Sequence, residues 1–232
     1  VLEVSDLQSK GRHAPLIYPT SFTVELGEII LVQANTQLER SALSLTLTGR
    51  MKPSDGVVSW NGNPDGKDLR KIAAIVDAPD INEMESHMRV RDYVSEMLSY
   101  MPHPFLRRPK ASAWLEDNGL EDLDDLWDEQ LTGDQRIRLV TALARHDERA
   151  DLLVFDTPSR HANHTSAWLP SLFDLARDEE HPRTVVAVVP HISDSWHGLR
   201  AVVGEPTRSP HVPTDLSLDE LFDPQQLQET RA

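Results

Sequence analysis

Ala150-Asp-Leu-Leu-Val-Phe-Asp156-Thr157-Pro158 is where this chain carries its plainest chemistry. An apolar run ending in an acid reads as a buried parallel strand that delivers Asp156 to a sheet edge. In nucleotide-binding sheets such a carboxylate holds Mg²⁺ through water. Its other reading is a structural acid capping the turn that follows. Just upstream, the turn Leu131-Thr132-Gly133-Asp134-Gln135 precedes a helical pattern over residues 136–145. A helix N-terminus attracts anions, but Asp134 brings its own negative charge there and is expected to cap the helix.

The elements that must position these residues follow from the apolar pattern. Residues 1–7, 21–24 and 28–33 read as strands, with Gly27 as the turn before the last. Residues 36–50 place Leu38, Leu43, Leu45 and Leu47 on a helix stopped by Gly49. Residues 57–60 running into Asn61-Gly62 suggest a hairpin, and 71–76 another buried strand. From 90 to 145 the pattern is helical, with Tyr93, Met97 and Met101 at spacing four. Strands return at 151–155 and 184–189, around a helix at 167–178. The expected organisation is an α/β core of residues 1–80 and 146–204, a helical subdomain over 81–145 and a loosely ordered tail over 205–232. Within that tail, 216–222 is set apart as ordered.

Composition narrows the function. A formal net charge of −15 argues against nucleic acid as a partner, because phosphate backbones are held by clustered Lys and Arg. With no Cys, disulfides and thiolate metal sites are excluded, which fits a reducing cytosol. No apolar run approaches the roughly 20 residues that span a bilayer, and no signal-peptide pattern opens the sequence. The expectation is a soluble chain that meets a membrane only through a partner. Eight acidic residues and no basic ones fall between Glu116 and Glu129, interrupted by Leu120, Leu123, Leu126 and Trp127. They read as a solvated helix face over an apolar stripe, or else as a docking surface for a basic loop. Arg107, Arg108 and Lys110 form a small basic patch just before them.

A Leu-x-Gly-x-Gln turn, a helix, then a hydrophobic strand ending in Asp and Pro resembles the ATP-binding cassette (ABC) family. Leu2-Glu-Val-Ser-Asp-Leu7, Phe22-Thr-Val-Glu-Leu-Gly-Glu-Ile29, the Leu47 to Gly62 segment and Val185-Val-Ala-Val-Val-Pro-His191 match that family's scaffold in order. The resemblance thus covers the chain from Leu2 to His191. It implies an α/β fold, a P-loop NTPase-like cassette with an antiparallel β portion, a mostly parallel core sheet and a helical subdomain.

The same resemblance exposes what has changed. The family's phosphate loop, G-x-x-G-x-G-K-[ST], aligns with Ala34-Asn-Thr-Gln-Leu-Glu-Arg-Ser41. Its glycines let backbone N–H groups curl around phosphates, its Lys neutralises them and its hydroxyl binds Mg²⁺. Here Ala34, Gln37 and Glu39 replace the glycines, and Arg40 replaces Lys with a bulkier, planar cation. Glu39 would set a carboxylate against phosphate, a repulsion of roughly 1–4 kcal/mol at about 4 Å. Arg40, Ser41 and Asp156 are the residual nucleotide-binding positions, and Ser41 and Asp156 the ligands if Mg²⁺ binds. Thr157 stands where the family has its general-base Glu, and Thr accepts no proton at neutral pH. Ala78 falls near the Mg²⁺-bridging glutamine, His13 near the adenine-stacking aromatic and Asn163 at the dimer-contact Asp. Leu131 to Gln135 is signature-like, and His191 aligns with the switch histidine.

With these departures the resemblance implies a degenerate, pseudo-ATPase subunit. It would partner a transporter-like membrane protein in a structural or regulatory role, beside a second cassette in a homo- or heterodimer. It would be cytoplasmic and peripherally membrane-associated, with no cofactor expected and ATP and Mg²⁺ bound only weakly if at all. Two other readings stay open. One is a weakly active ATP-binding and hydrolysing subunit in an asymmetric dimer, and the other a soluble regulatory scaffold outside transport.

Overall fold

The computed structural model describes residues 1–102, 109–162, 164–205 and 216–222. Arg107 and Arg108 of the basic patch, Asn163, and most of the tail lie outside them. Two sheets form the frame. Strands β1 (Leu2–Lys10), β2 (Pro15–Val24) and β4 (Asp55–Trp60) make an antiparallel sheet in the order β2-β1-β4. Strands β3 (Ile29–Gln33), β5 (Ala73–Val76), β6 (Leu152–Asp156), β7 (Thr184–Val189) and β8 (Leu199–Val202) make a second sheet in the order β5-β6-β7-β3-β8. Every pairing in the second sheet is parallel. An α/β architecture with an antiparallel portion and a parallel core sheet is what the family resemblance implied.

The parallel strands are apolar on both faces because both are covered. Ile30 and Val32 of β3 face a cluster with Leu2, Val4, Leu43 and Leu47, beneath the antiparallel sheet and helix α1 (Gln37–Leu47). Ile29 and Leu31 face the opposite way, toward α5 (Gly133–His146), α6 (Thr165–Ala176) and Trp168. A third cluster belongs to the helical lobe, where α3 (Val90–Tyr100) and α4 (Ala111–Asp117) bury Tyr93, Val94, Leu98, Trp114 and Leu115. Helix α5 joins lobe to core: Ile137, Val140 and Ala144 pack on the sheet, whereas Leu139 and Leu143 pack into the lobe.

Several expectations need correction. At the Asn61-Gly62 turn the chain folds back for a single antiparallel bridge, Trp60 opposite Asn63, and residues 57–60 gain no second strand from it. They pair with β1, Leu2 opposite Trp60, because the chain after the turn enters helix α2 (Gly66–Ile72), capped by Asp65. That helix also takes Lys71 and Ile72, which had read as strand. The helical pattern over 90–145 is interrupted. Gly119, at φ +65°, ends α4, and two 3₁₀ turns follow at Glu121–Leu123 and Asp128–Gln130. The acidic run is therefore not one helix face, and of its apolar stripe Leu120 and Leu123 are buried whereas Trp127 is exposed. Three of its eight carboxylates meet arginines from outside the run. Asp125 pairs with Arg89 and Arg91, Asp128 with Arg136 and Asp122 with Arg138. In the tail, α7 (Leu218–Leu221) and Phe222 pack against Trp196 in the second cluster. No helix among the described residues is long and apolar enough to cross a membrane.

Candidate functional site

The turn from β3 into α1 is closed by its own side chains. Thr36 is the N-cap, and its hydroxyl accepts from the Glu39 backbone N–H at 3.1 Å. Glu39 reaches back, and its Oε2 accepts from the N–H groups of Asn35 at 2.9 Å and Thr36 at 3.2 Å. This reciprocal capping box satisfies the donors that a helix start otherwise leaves orphaned. The carbonyls of the same turn point inward to a cation. Arg40, only 8% exposed, donates from Nη1 to the carbonyls of Ala34 and Asn35, both at 3.0 Å. Its Nη2 donates to Gln37 Oε1 at 3.0 Å and its Nε to Thr157 Oγ1 at 2.8 Å. Burial lowers the pKa of the Arg40 guanidinium, opposed by the charges of Asp156 and Glu39.

Asp156, at the end of β6, is 1% exposed and wholly engaged. Its Oδ2 accepts from Ser41 Oγ at 3.0 Å, and its Oδ1 from Gln37 Nε2 at 3.1 Å and the Thr157 hydroxyl at 2.8 Å. Thr157 sits at φ +55°, ψ +54°, a left-handed conformation unusual for a β-branched residue. Its N–H donates to Val188 O at 2.8 Å and its hydroxyl takes the Arg40 contact, so the strained backbone is fixed at both ends. The structure thus brings Arg40, Ser41, Asp156 and Thr157 into one network, with Gln37 as a bridge. Gln37 had been read only as a missing glycine. Its amide, donating from one end and accepting at the other, is what connects a carboxylate to a guanidinium.

The other expected residues lie elsewhere. His191 is exposed beyond the end of β7 and is not a member of the network, and His13 is exposed on the β1–β2 connection. The expectation that Asp134 caps α5 is wrong. Thr132 is the N-cap, accepting from the Gln135 N–H at 3.2 Å while Gln135 Oε1 accepts from the Thr132 N–H at 2.9 Å, and Asp134 is exposed in the first turn. Leu131 is half-buried and packs at the edge of the lobe cluster. Gly133 lies against the chain following β6: a Cβ there would meet the His161 carbonyl oxygen at 1.9 Å. The turn therefore packs within its own chain.

A second charged cluster was not anticipated. Asp77, 4% exposed and at φ +52°, follows β5. Its carboxylate lies 2.9 Å from Arg160 Nη2 and 2.6 Å from His161 Nε2. Arg160 Nη1 also donates to the carbonyls of Asp77 at 2.6 Å and Asp156 at 2.9 Å, and its Nη2 lies 3.3 Å from Glu83. The cluster ties the end of β5 to the end of β6. An acid directly after the apolar run at 73–76, and an Arg-His pair just past Asp156, were the available signals. At the place of the bridging glutamine, Ala78 is fully buried, and its N–H donates to Asn82 Oδ1 at 2.8 Å. Beside this turn, a cleft of about 350 Å³ opens between β5, α3 and α5, lined by Tyr93, Met97 and Tyr100 with Arg50 and Arg70.

No protein-family model matches the chain. The cytochrome c biogenesis ATP-binding export protein CcmA of Salmonella typhi is 31% identical over 161 residues, 68% of this chain and 74% of that protein. An ABC transporter ATP-binding protein of Treponema denticola is 26% identical over 158 residues, 67% of this chain, and the match spans only 31% of that longer protein. Among solved structures, a dimeric ATP-binding cassette in a post-hydrolysis state with ADP and phosphate has a TM-score of 0.64 and 16% identity. That match covers 88% of this chain and 97% of the other. At that identity the likeness is one of fold.

Proposed function

We propose that this chain, which belongs to the ABC family of transporter ATP-binding proteins, is a subunit that braces or regulates a membrane partner without hydrolysing ATP. The observation that carries this reading is the state of the Thr157 hydroxyl. At the position of the general base it is held between Arg40, Gln37 and Asp156, and it has no carboxylate with which to take a proton from water. Mg²⁺ and ATP, which the family implies, do not fit the residues present. Two amides of the loop, those of Asn35 and Thr36, are engaged by Glu39, and both Asp156 oxygens accept from side chains of the chain itself.

The partner side of the reading rests on surfaces. Exposed Tyr100 and Ile81 stand at the cleft between core and lobe, where apolar area can supply affinity. The acidic run supports it less than its composition suggested, since several of its carboxylates already pair with Arg89, Arg91, Arg136 and Arg138. Its remaining charge would govern association rate and salt sensitivity more than affinity. A second cassette, identical or different, completes the proposed assembly, in keeping with the dimeric structural neighbour.

The test is phosphate release from Mg-ATP by the purified chain and by Thr157→Glu. Neither is expected to exceed the blank, because a restored base still faces a loop that holds its own side chains. Steady turnover by the wild type would sink the proposal. Turnover by the single variant alone would show that Thr157, and not the loop, is the limiting defect.

A further inference from the structure

The loop between β3 and α1 has backbone donors that meet Glu39 and backbone carbonyls that meet Arg40, an adjacent pair of side chains of opposite charge, while the nearby buried carboxylate of Asp156 accepts from Ser41, Gln37 and Thr157. The Glu39 carboxylate accepts from two successive backbone N–H groups, those of Asn35 and Thr36. The Arg40 guanidinium accepts no bond and donates four, two of them to the carbonyls of Ala34 and Asn35. Through Thr157 and Gln37 it is the positive charge linked to Asp156, whose negative charge opposes the lowering of the Arg40 pKa by burial. An anion on the amides and a cation opposite the carboxylate are the two charges that a metal–phosphate complex would bring. Here they are covalently part of the chain, three and four residues beyond the N-cap Thr36.

We propose that Glu39 and Arg40 are internal ligands that hold this site closed without nucleotide, Glu39 taking loop amides in place of a phosphate and Arg40 supplying, through Gln37 and Thr157, the positive charge beside Asp156. The inference deepens the non-hydrolysing reading and rests on it. It adds that the site is not merely worn but occupied, so the core keeps one conformation whether or not ATP is present. The closure is intramolecular and entropically cheap, since the two side chains are already tethered beside their partners. It also follows that removing one internal ligand re-opens the complementary half of the site. Loss of Glu39 frees two amides at the start of an 11-residue helix with Arg40 still beside them.

The experiment is thermal unfolding of the purified wild type, Glu39→Ala and Arg40→Met, each alone and with millimolar pyrophosphate, with and without Mg²⁺. Both variants should melt lower than the wild type, Glu39→Ala by about 2–4 °C from the lost cap. Pyrophosphate should leave the wild type and Arg40→Met unchanged and raise Glu39→Ala by about 2 °C or more, with no need for Mg²⁺. A wild type raised as much as Glu39→Ala would mean that the loop is open and would overturn the inference, while leaving the absence of turnover intact. A Glu39→Ala chain that pyrophosphate does not raise would overturn the role of Glu39. A rise that requires Mg²⁺ would overturn the role of Arg40. Circular dichroism on each variant, and the conservative Glu39→Gln, which keeps an acceptor and loses the charge, separate unfolding from loss of the contact.

Discussion

Arg40→Met is expected to lower the unfolding free energy by about 3–5 kcal/mol, the usual cost of leaving a buried charge without its counter-charge. Arg40 is 8% exposed, and its guanidinium makes four hydrogen bonds, two of them to carbonyls of the turn. Methionine fills much of the volume but satisfies none of these acceptors, and each orphaned buried group costs about 1–3 kcal/mol. Asp156 would then lose the cation that faces it while remaining 1% exposed. Arg40→Lys keeps the charge without the planar fork and should fall between the two. Urea unfolding read as a lower midpoint with an unchanged slope is the check. A loss below about 1 kcal/mol would place the guanidinium in solvent and remove it from the network.

Asp77→Ala should cost a similar amount, again about 3–5 kcal/mol, for a different reason. Asp77 is 4% exposed and is the shared partner of Arg160 and His161, which are themselves mostly buried. Its removal leaves Arg160 with Glu83 at 3.3 Å and two backbone carbonyls. The damage reaches further than one pair, because the cluster fastens the end of β5 to the segment that follows Asp156. Gly133 packs against the His161 carbonyl in that segment, so the start of α5 is set by the same clamp. Asp77→Asn, which can still accept from Arg160, should lose less than the alanine variant. Equal stability of wild type and Asp77→Ala in urea would contradict the clamp.

Strands β3, β6 and β7 were legible because both faces of each are buried, so the sequence shows an unbroken apolar run. Strand β8, four residues long with Arg200 exposed in it, carries too little pattern to be seen. The pairing of β4 with β1 joins residues far apart in the chain, from Leu2 opposite Trp60 to Gln8 opposite Asp55, and no local signal announces it. The partial neutralisation of the acidic run was hidden as well, since its arginines come from other elements, Arg91 in α3 and Arg136 and Arg138 in α5. At the site, collinear order was enough to bring Arg40, Ser41, Asp156 and Thr157 together. What it could not give was direction. Glu39 had been read as a charge that repels phosphate, and in the structure that charge is spent on the amides of Asn35 and Thr36. The assignment of Asp134 as a cap overlooked a pattern present in the sequence. Thr132-Gly-Asp-Gln135 and Thr36-Gln-Leu-Glu39 are both capping boxes, and the pattern identifies the Thr as the cap in each.

Whether the loop is available to nucleotide decides between this account and an active subunit. Calorimetric titration of Mg-ATP into the purified wild-type chain tests that directly. The account predicts no saturable heat, with any affinity weaker than about millimolar, roughly −4 kcal/mol. Saturable binding at micromolar concentration, by a chain in which Glu39 and Arg40 are intact, would contradict it.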